Sequence, residues 1–129
     1  MKKEIIENIK SLPAAVGPYS AAVRAGNLIF LSGQIPVNPE TNQMIEPDIS
    51  KQTHQLLTNI KHFLADNGLV MQAIIKTNIF IRDMNHFPLI NEIYASYFKQ
   101  PFPARALVEV SRLPKDSLIE IECVILADN

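Results

Sequence analysis

The sequence predicts an α+β fold, a β-sheet carrying two helices on one face. Three observations lead there. The segment Asp48 to Asn67 repeats apolar residues at helical spacing, and a second, shorter stripe ends near Phe98. Other segments are short, β-branched and bounded by turn residues. A strand pattern separates the two helices, so the order is strand-strand-helix-strand-helix-strand-strand, which suits two helices on one sheet face.

Ser20–Arg24 and Leu28–Ser32 read as strands joined at Gly26-Asn27, a pair that accepts the positive φ of a tight hairpin. Gly33 to Pro47 contains Pro36, Pro39 and Pro47 and reads as a long surface loop. In the first helix, Ile49, Leu56, Leu57, Ile60, Phe63 and Leu64 form one stripe. Asp48 or Ser50 suits its start and Gly68 its stop. Ala73–Ile81 is an isoleucine-rich strand. Asp83 or Asn85 opens the second helix, whose stripe is Phe87, Ile90, Ile93 or Tyr94, and Tyr97. Pro101 and Pro103 then hold the chain extended into the strands Ala104–Val110 and Leu118–Leu126.

At 129 residues and 14.5 kDa the chain, 1–129, reads as one domain. Twelve basic residues against thirteen acidic ones leave a net charge of −1, with no electrostatic footprint for nucleic acid. Cys123 is the only cysteine, so no internal disulfide forms and a reducing compartment is expected. The opening Met1–Glu7 places acids where a signal peptide needs an apolar core, and the longest uncharged stretch, Ala25 to Pro39, is too short to span a bilayer. A cytoplasmic protein without a membrane partner is the expectation. Aliphatic residues are nonetheless plentiful for so small a body, which points to contact with another subunit.

Strand alternation sharpens that point. Ala106, Val108 and Val110 share one face, and Ile119, Ile121, Cys123 and Ile125 share another; these uniformly apolar faces are expected under the helices. Arg105, Leu107 and Glu109, with Leu118, Glu120, Glu122, Val124 and Leu126, are then expected on the opposite face. That mixture suits neither solvent nor core. A surface covered by another subunit, with a cleft for a small charged ligand, accommodates both its aliphatic and its charged members.

The run Phe102-Pro103-Ala104-Arg105-Ala106-Leu107-Val108-Glu109-Val110, followed by Leu113-Pro114-Lys115-Asp116 and Ile119-Glu120-Ile121-Glu122, resembles the signature of the reactive intermediate deaminase (RidA-like, YjgF-type) family. The resemblance extends to Ala14-Ala15-Val16-Gly17-Pro18-Tyr19-Ser20, to Leu31-Ser32-Gly33-Gln34-Ile35-Pro36, and from Lys76-Thr77 through Asp83 to Asn91 and Tyr94. It implies a chorismate-mutase-like fold and a homotrimer whose sheets form a central barrel, with sites between subunits. It also implies hydrolysis of 2-imino acids (2-iminobutanoate, 2-iminopropanoate) to 2-oxo acids and ammonia, without metal or cofactor.

Imine hydrolysis needs a carboxylate anchor, a positioned water and a proton for nitrogen. Arg105 suits the anchor, since guanidinium binds carboxylate through parallel hydrogen bonds; a strand-face ion pair with a glutamate is the alternative from the residues alone. Glu120 suits the water-orienting or proton-relay role. Glu122 lies on the same face, and it is the resemblance that points to Glu120. Tyr19 and Ser32 carry hydroxyls able to reach substrate or water. Gly33 allows close backbone approach, or simply ends a strand. Asn91 and Tyr94 match positions near the family's site or its subunit contact, with helix packing the alternative for Tyr94. Pro114 shapes the rim of the site or simply ends the loop. At Leu107 many members carry cysteine, and the backbone carbonyl is the group used. The loop Phe98–Pro101 looks shorter than in many relatives. No sequence motif places His54, His62 or His86 with Ser32, and no histidine stands near the paired glutamates to suggest a metal. A non-catalytic trimer binding small carboxylates, or regulating through them, is the alternative function. Relatives have been described as ribonucleases, but no basic stripe supports that here.

Overall fold

The structure is a computed structural model and describes residues 2–128. Its main sheet has the order β1-β2-β3-β8-β6-β7. The strands are Lys3–Ile5 (β1), Ala22–Ala25 (β2), Leu28–Gln34 (β3), Ile74–Ile81 (β6), Ala104–Glu109 (β7) and Ile119–Leu126 (β8). Neighbours are antiparallel except β6 and β7, which run parallel across the helix between them. The two helices, Ile49–Asp66 (α1) and Phe87–Tyr97 (α2), make the α+β arrangement that the sequence predicts.

The hairpin turns at Gly26 with φ of 63°, so the glycine alone takes the positive φ for which the sequence offered Gly26 and Asn27. Asp48 caps α1, its carboxylate accepting from the Lys51 backbone N–H at 2.9 Å. The α1 stripe is fully buried at Leu56, Leu57, Ile60, Phe63 and Leu64, in one cluster with Ile79, Ile81, Ile119, Ile121 and Ile125 of the central strands. Each such side chain contributes about 1.5–3 kcal/mol on burial. Cys123 joins this core, where burial pushes its thiol up to about 12, so it stays an inert small hydrophobe at neutral pH.

Three polar residues share the buried face of α1, each with its partners. Thr53 Oγ1 donates to the Ile49 carbonyl at 2.7 Å, and Asn59 Nδ2 to the Val37 carbonyl at 2.8 Å. Gln52 Nε2 donates to the Ile45 and Glu46 carbonyls at 3.1 and 3.2 Å, while its Oε1 accepts from Leu118 N–H at 2.9 Å. One amide thus ties α1 to the loop before it and to the residue just ahead of β8. Replacing Gln52 by Leu strands these backbone groups, at a cost of about 2 kcal/mol. Thermal unfolding should register a fall in Tm of roughly 5–10 °C.

Two departures from the sequence reading matter. The stretch read as a loop, Gly33 to Pro47, instead extends β3 to Gln34 and folds back as a small hairpin, Val37–Asn38 (β4) with Gln43–Met44 (β5), anchored by buried Val37. The second concerns β7, whose faces are reversed. Arg105 aligns with Thr77 and Leu107 with Ile79, both fully buried under the helices, while Ala104, Ala106 and Val108 are exposed on the far side. Glu120 and Glu122 align with Phe80 and Asn78 on that far side. Arg105 and Glu120 therefore occupy opposite faces of the sheet. The reason is that β7 is an edge strand at which the flat guanidinium, rather than an aliphatic residue, packs onto α2.

Candidate active site

The candidate residues gather in two separate groups. The first lies where β7 meets α2. Arg105 Nη1 donates to Asn91 Oδ1 at 2.8 Å. Its guanidinium carbon stands 5.0 Å from the centre of the Tyr94 ring and 5.8 Å from that of Phe87. Tyr94 is itself fixed: its hydroxyl shares a 2.8 Å hydrogen bond with Thr77 Oγ1, and its ring stacks on Phe98 with centroids 4.3 Å apart. Burial is the main cause that pushes the Tyr94 hydroxyl above its ordinary range, so it stays protonated. A cavity of about 330 Å³ opens beside this arrangement, lined by Asn91, Tyr94, Ala95, Phe102, Pro103 and Arg105. Among the described residues no carboxylate lies within ion-pair distance of Arg105. The intramolecular ion pair left open by the sequence is absent, and most of the guanidinium's five donors remain for a ligand.

The second group lies at the end of β3, where the β3–β8 register shifts between Leu31 and Gln34. Glu120 folds over Gly33 there: a Cβ built on Gly33 would meet Glu120 Oε2 at 2.6 Å. Only a residue without a side chain lets the carboxylate come so close. Burial first, and the charge of Glu122 second, push Glu120 above the usual carboxylate range. Gly33 and the half-exposed Tyr19 line a small cleft with Gln34, Asn42 and Lys115. Ser32 stands beside them, but its hydroxyl donates to the Ser20 carbonyl at 2.6 Å, which makes it first a backbone clasp. Pro114 sits at the exposed rim, one residue before Lys115. Lys115 and Asp116 both take left-handed φ, 54° and 55°, a backbone state that costs a non-glycine residue of order 1–3 kcal/mol.

Leu107 packs its side chain against the core, so only its backbone is available to a ligand. None of the three histidines lines either cleft. Sequence reasoning did not single out Phe102 or Lys115. An aromatic between two prolines ahead of an arginine was the available sign for Phe102, while the left-handed backbone at Lys115 left no sign in residue type.

The two groups do not meet within one chain. Arg105 aligns with Cys123 through Thr77, so Glu120 lies two strands and three residues away, about 10 Å in each direction, with the sheet between them. The far face that carries Glu120 also carries Val23, Phe30, Phe80, Val124 and Val108, and among the described residues no helix covers it.

Residues 9–127 match the family model described as Endoribonuclease L-PSP. A RutC family protein of Pyrococcus horikoshii is 48% identical over 122 residues, which span 95% of this chain and 96% of that protein. A 2-iminobutanoate/2-iminopropanoate deaminase of Dermatophagoides farinae is 43% identical over 116 residues, 90% of this chain and 91% of its own. A solved structure from Yersinia pestis, a protein of unknown function of the conserved Rid family, superposes with a TM-score of 0.91 at 48% identity. It covers 97% of this chain and 99% of its own.

Proposed function

Because the chain belongs to the Endoribonuclease L-PSP family, which includes the Rid proteins, we propose that it hydrolyses 2-imino acids such as 2-iminobutanoate and 2-iminopropanoate to 2-oxo acids and ammonia. The observation that carries this reading is Arg105, a guanidinium without an ion pair, oriented by Asn91 and Tyr94 beside an open cavity. It suits a small carboxylate held by parallel hydrogen bonds. Similarity to a relative named as a deaminase supports the same chemistry.

In this mechanism Arg105 grips the carboxylate and leaves the imine carbon facing Glu120. Glu120 takes a proton from water as the water oxygen bonds to that carbon, and passes it to nitrogen, which leaves a carbinolamine. Glu120 then relays the remaining hydroxyl proton to nitrogen as the C–N bond breaks, its electron pair leaves with ammonia, and the carbonyl of the 2-oxo acid forms. Water is the only co-reactant. Tyr19 supplies a hydroxyl at the rim of the same cleft, and Gly33 keeps room for the Glu120 carboxylate.

Arg105 and Glu120 stand on opposite faces of one sheet, so the working site needs Arg105 from a second copy brought to Glu120 of the first. A homotrimer satisfies this, with the uncovered sheet faces turned towards one another. The exposed Ile5, Phe30 and Val108 on that face support such an assembly.

The test couples a threonine dehydratase to release of 2-oxobutanoate. Purified protein should accelerate release and sediment as a trimer. Binding of 2-oxobutanoate without acceleration would transfer the site to the alternative, a carboxylate-binding regulatory trimer, and a stable monomer would remove the shared site.

A further inference from the structure

Glu122 has no role in the mechanism above, yet its placement is as constrained as that of Glu120. It lies two residues along β8 on the same far face, its Cα about 7 Å from that of Glu120. Asn78, directly opposite on β6, donates from Nδ2 to Glu122 Oε1 at 3.0 Å and fixes the carboxylate. Among the described residues no lysine or arginine comes within ion-pair distance of it.

We propose that Glu122 is a positioning residue for the reaction, acting on Glu120 by like-charge repulsion across one strand face without touching substrate. The inference rests on the imine-hydrolase reading for its catalytic consequence, though not for the coupling itself. Both side chains are partly buried, and partly buried charges are screened far less than exposed ones, so the repulsion survives in solution. Its effect adds to that of burial, and both raise the proton affinity of Glu120. A carboxylate that holds its proton more firmly is a better relay to a departing amine than a fixed anion is.

Other charged or titratable groups stand near Glu120. Arg82, two residues past Phe80 and bound through its N–H to the Leu118 carbonyl, falls on the same side of the sheet by strand alternation. Lys76 lies further along that face, opposite Val124, and Lys115 and Tyr19 border the Gly33 cleft. In the proposed trimer, Arg105 of a second copy approaches as well. All of these are common to wild type and a Glu122 variant, so a difference between the two reports Glu122.

Glu122→Gln keeps the shape and still accepts from Asn78, while the charge is lost. Glu120 is titrated through its carboxyl carbon by NMR in the assembled wild type, in Glu122→Gln and in Glu122→Asp, alongside pH–rate profiles. The Glu120 midpoint should fall in Glu122→Gln and stay near wild type in Glu122→Asp, which retains the charge. The limb of the rate profile that reports Glu120 should move to lower pH with it. An unchanged midpoint in folded Glu122→Gln overturns the coupling. A shifted midpoint with an unmoved profile overturns its part in catalysis. Should the wild type hydrolyse no imine at all, the function reading fails, while the midpoint still decides the coupling.

Discussion

Replacing Arg105 by Ala should lower kcat/KM for 2-iminobutanoate hydrolysis by roughly a thousandfold while the protein stays folded. Losing one partner of a desolvated charge pair costs about 2–5 kcal/mol, and about 4 kcal/mol corresponds to that factor. The structural cost is smaller. Arg105 sits partly exposed on the edge strand, bound to Asn91 and resting on Tyr94 and Phe87. Such stacking contributes about 0.5–1 kcal/mol per contact at an exposed site. Arg105→Lys should recover little, because an ammonium offers neither the planar fork nor the same stack. The coupled dehydratase assay, with a thermal melt of each variant, separates the two effects. Full activity in Arg105→Ala would remove the anchor from the mechanism.

How far these residues could be read from sequence depends on which force places each one. The α1 stripe was legible because burial alone decides it, and Asp48 was legible as a cap because local hydrogen bonding does. The strand Ile119–Leu126 lies in the sheet interior between β3 and β6, and its alternation assigned both faces correctly. The same rule failed one strand away. Ala106 and Val108 look like core, yet they lie on the face left open by the helices, and Arg105 lies on the covered face. On an edge strand only one residue, Leu107, packs against the core, and a guanidinium laid on an aromatic ring satisfies the neighbouring position. Residue type at β7 therefore carried too little information to orient it. The parallel partner β6, with Thr77 bound to Tyr94, is what orients it, and that pairing is a tertiary fact. Strand β1 was missed for a related reason. Its three residues are all exposed and show no alternation to read. The motif residues were identified by resemblance, but their separation across the sheet was visible only in three dimensions.

Gly33→Ala should abolish most of the activity while leaving stability nearly unchanged, and it isolates the placement of Glu120 from its chemistry. A methyl there meets Glu120 Oε2 at 2.6 Å, Cδ at 2.9 Å and Cγ at 3.3 Å. The clash falls on the far end of a flexible side chain, so the fold relaxes by turning Glu120 aside, at a cost of about 1 kcal/mol or less. The carboxylate then no longer points where water must be held. General acid–base catalysis contributes about 10²–10⁴-fold, and the variant should lose most of that factor in kcat with little change in KM, since the proposed anchor, Arg105, is untouched. Glu120→Gln should fall to a similar floor by losing the proton relay itself. Because both act through one carboxylate, the double variant Gly33→Ala/Glu120→Gln should be no slower than Glu120→Gln alone, a non-additivity that independent sites would not show. If Gly33→Ala kept wild-type kcat while Glu120→Gln lost it, the Glu120 carboxylate would work from a position other than the one over Gly33.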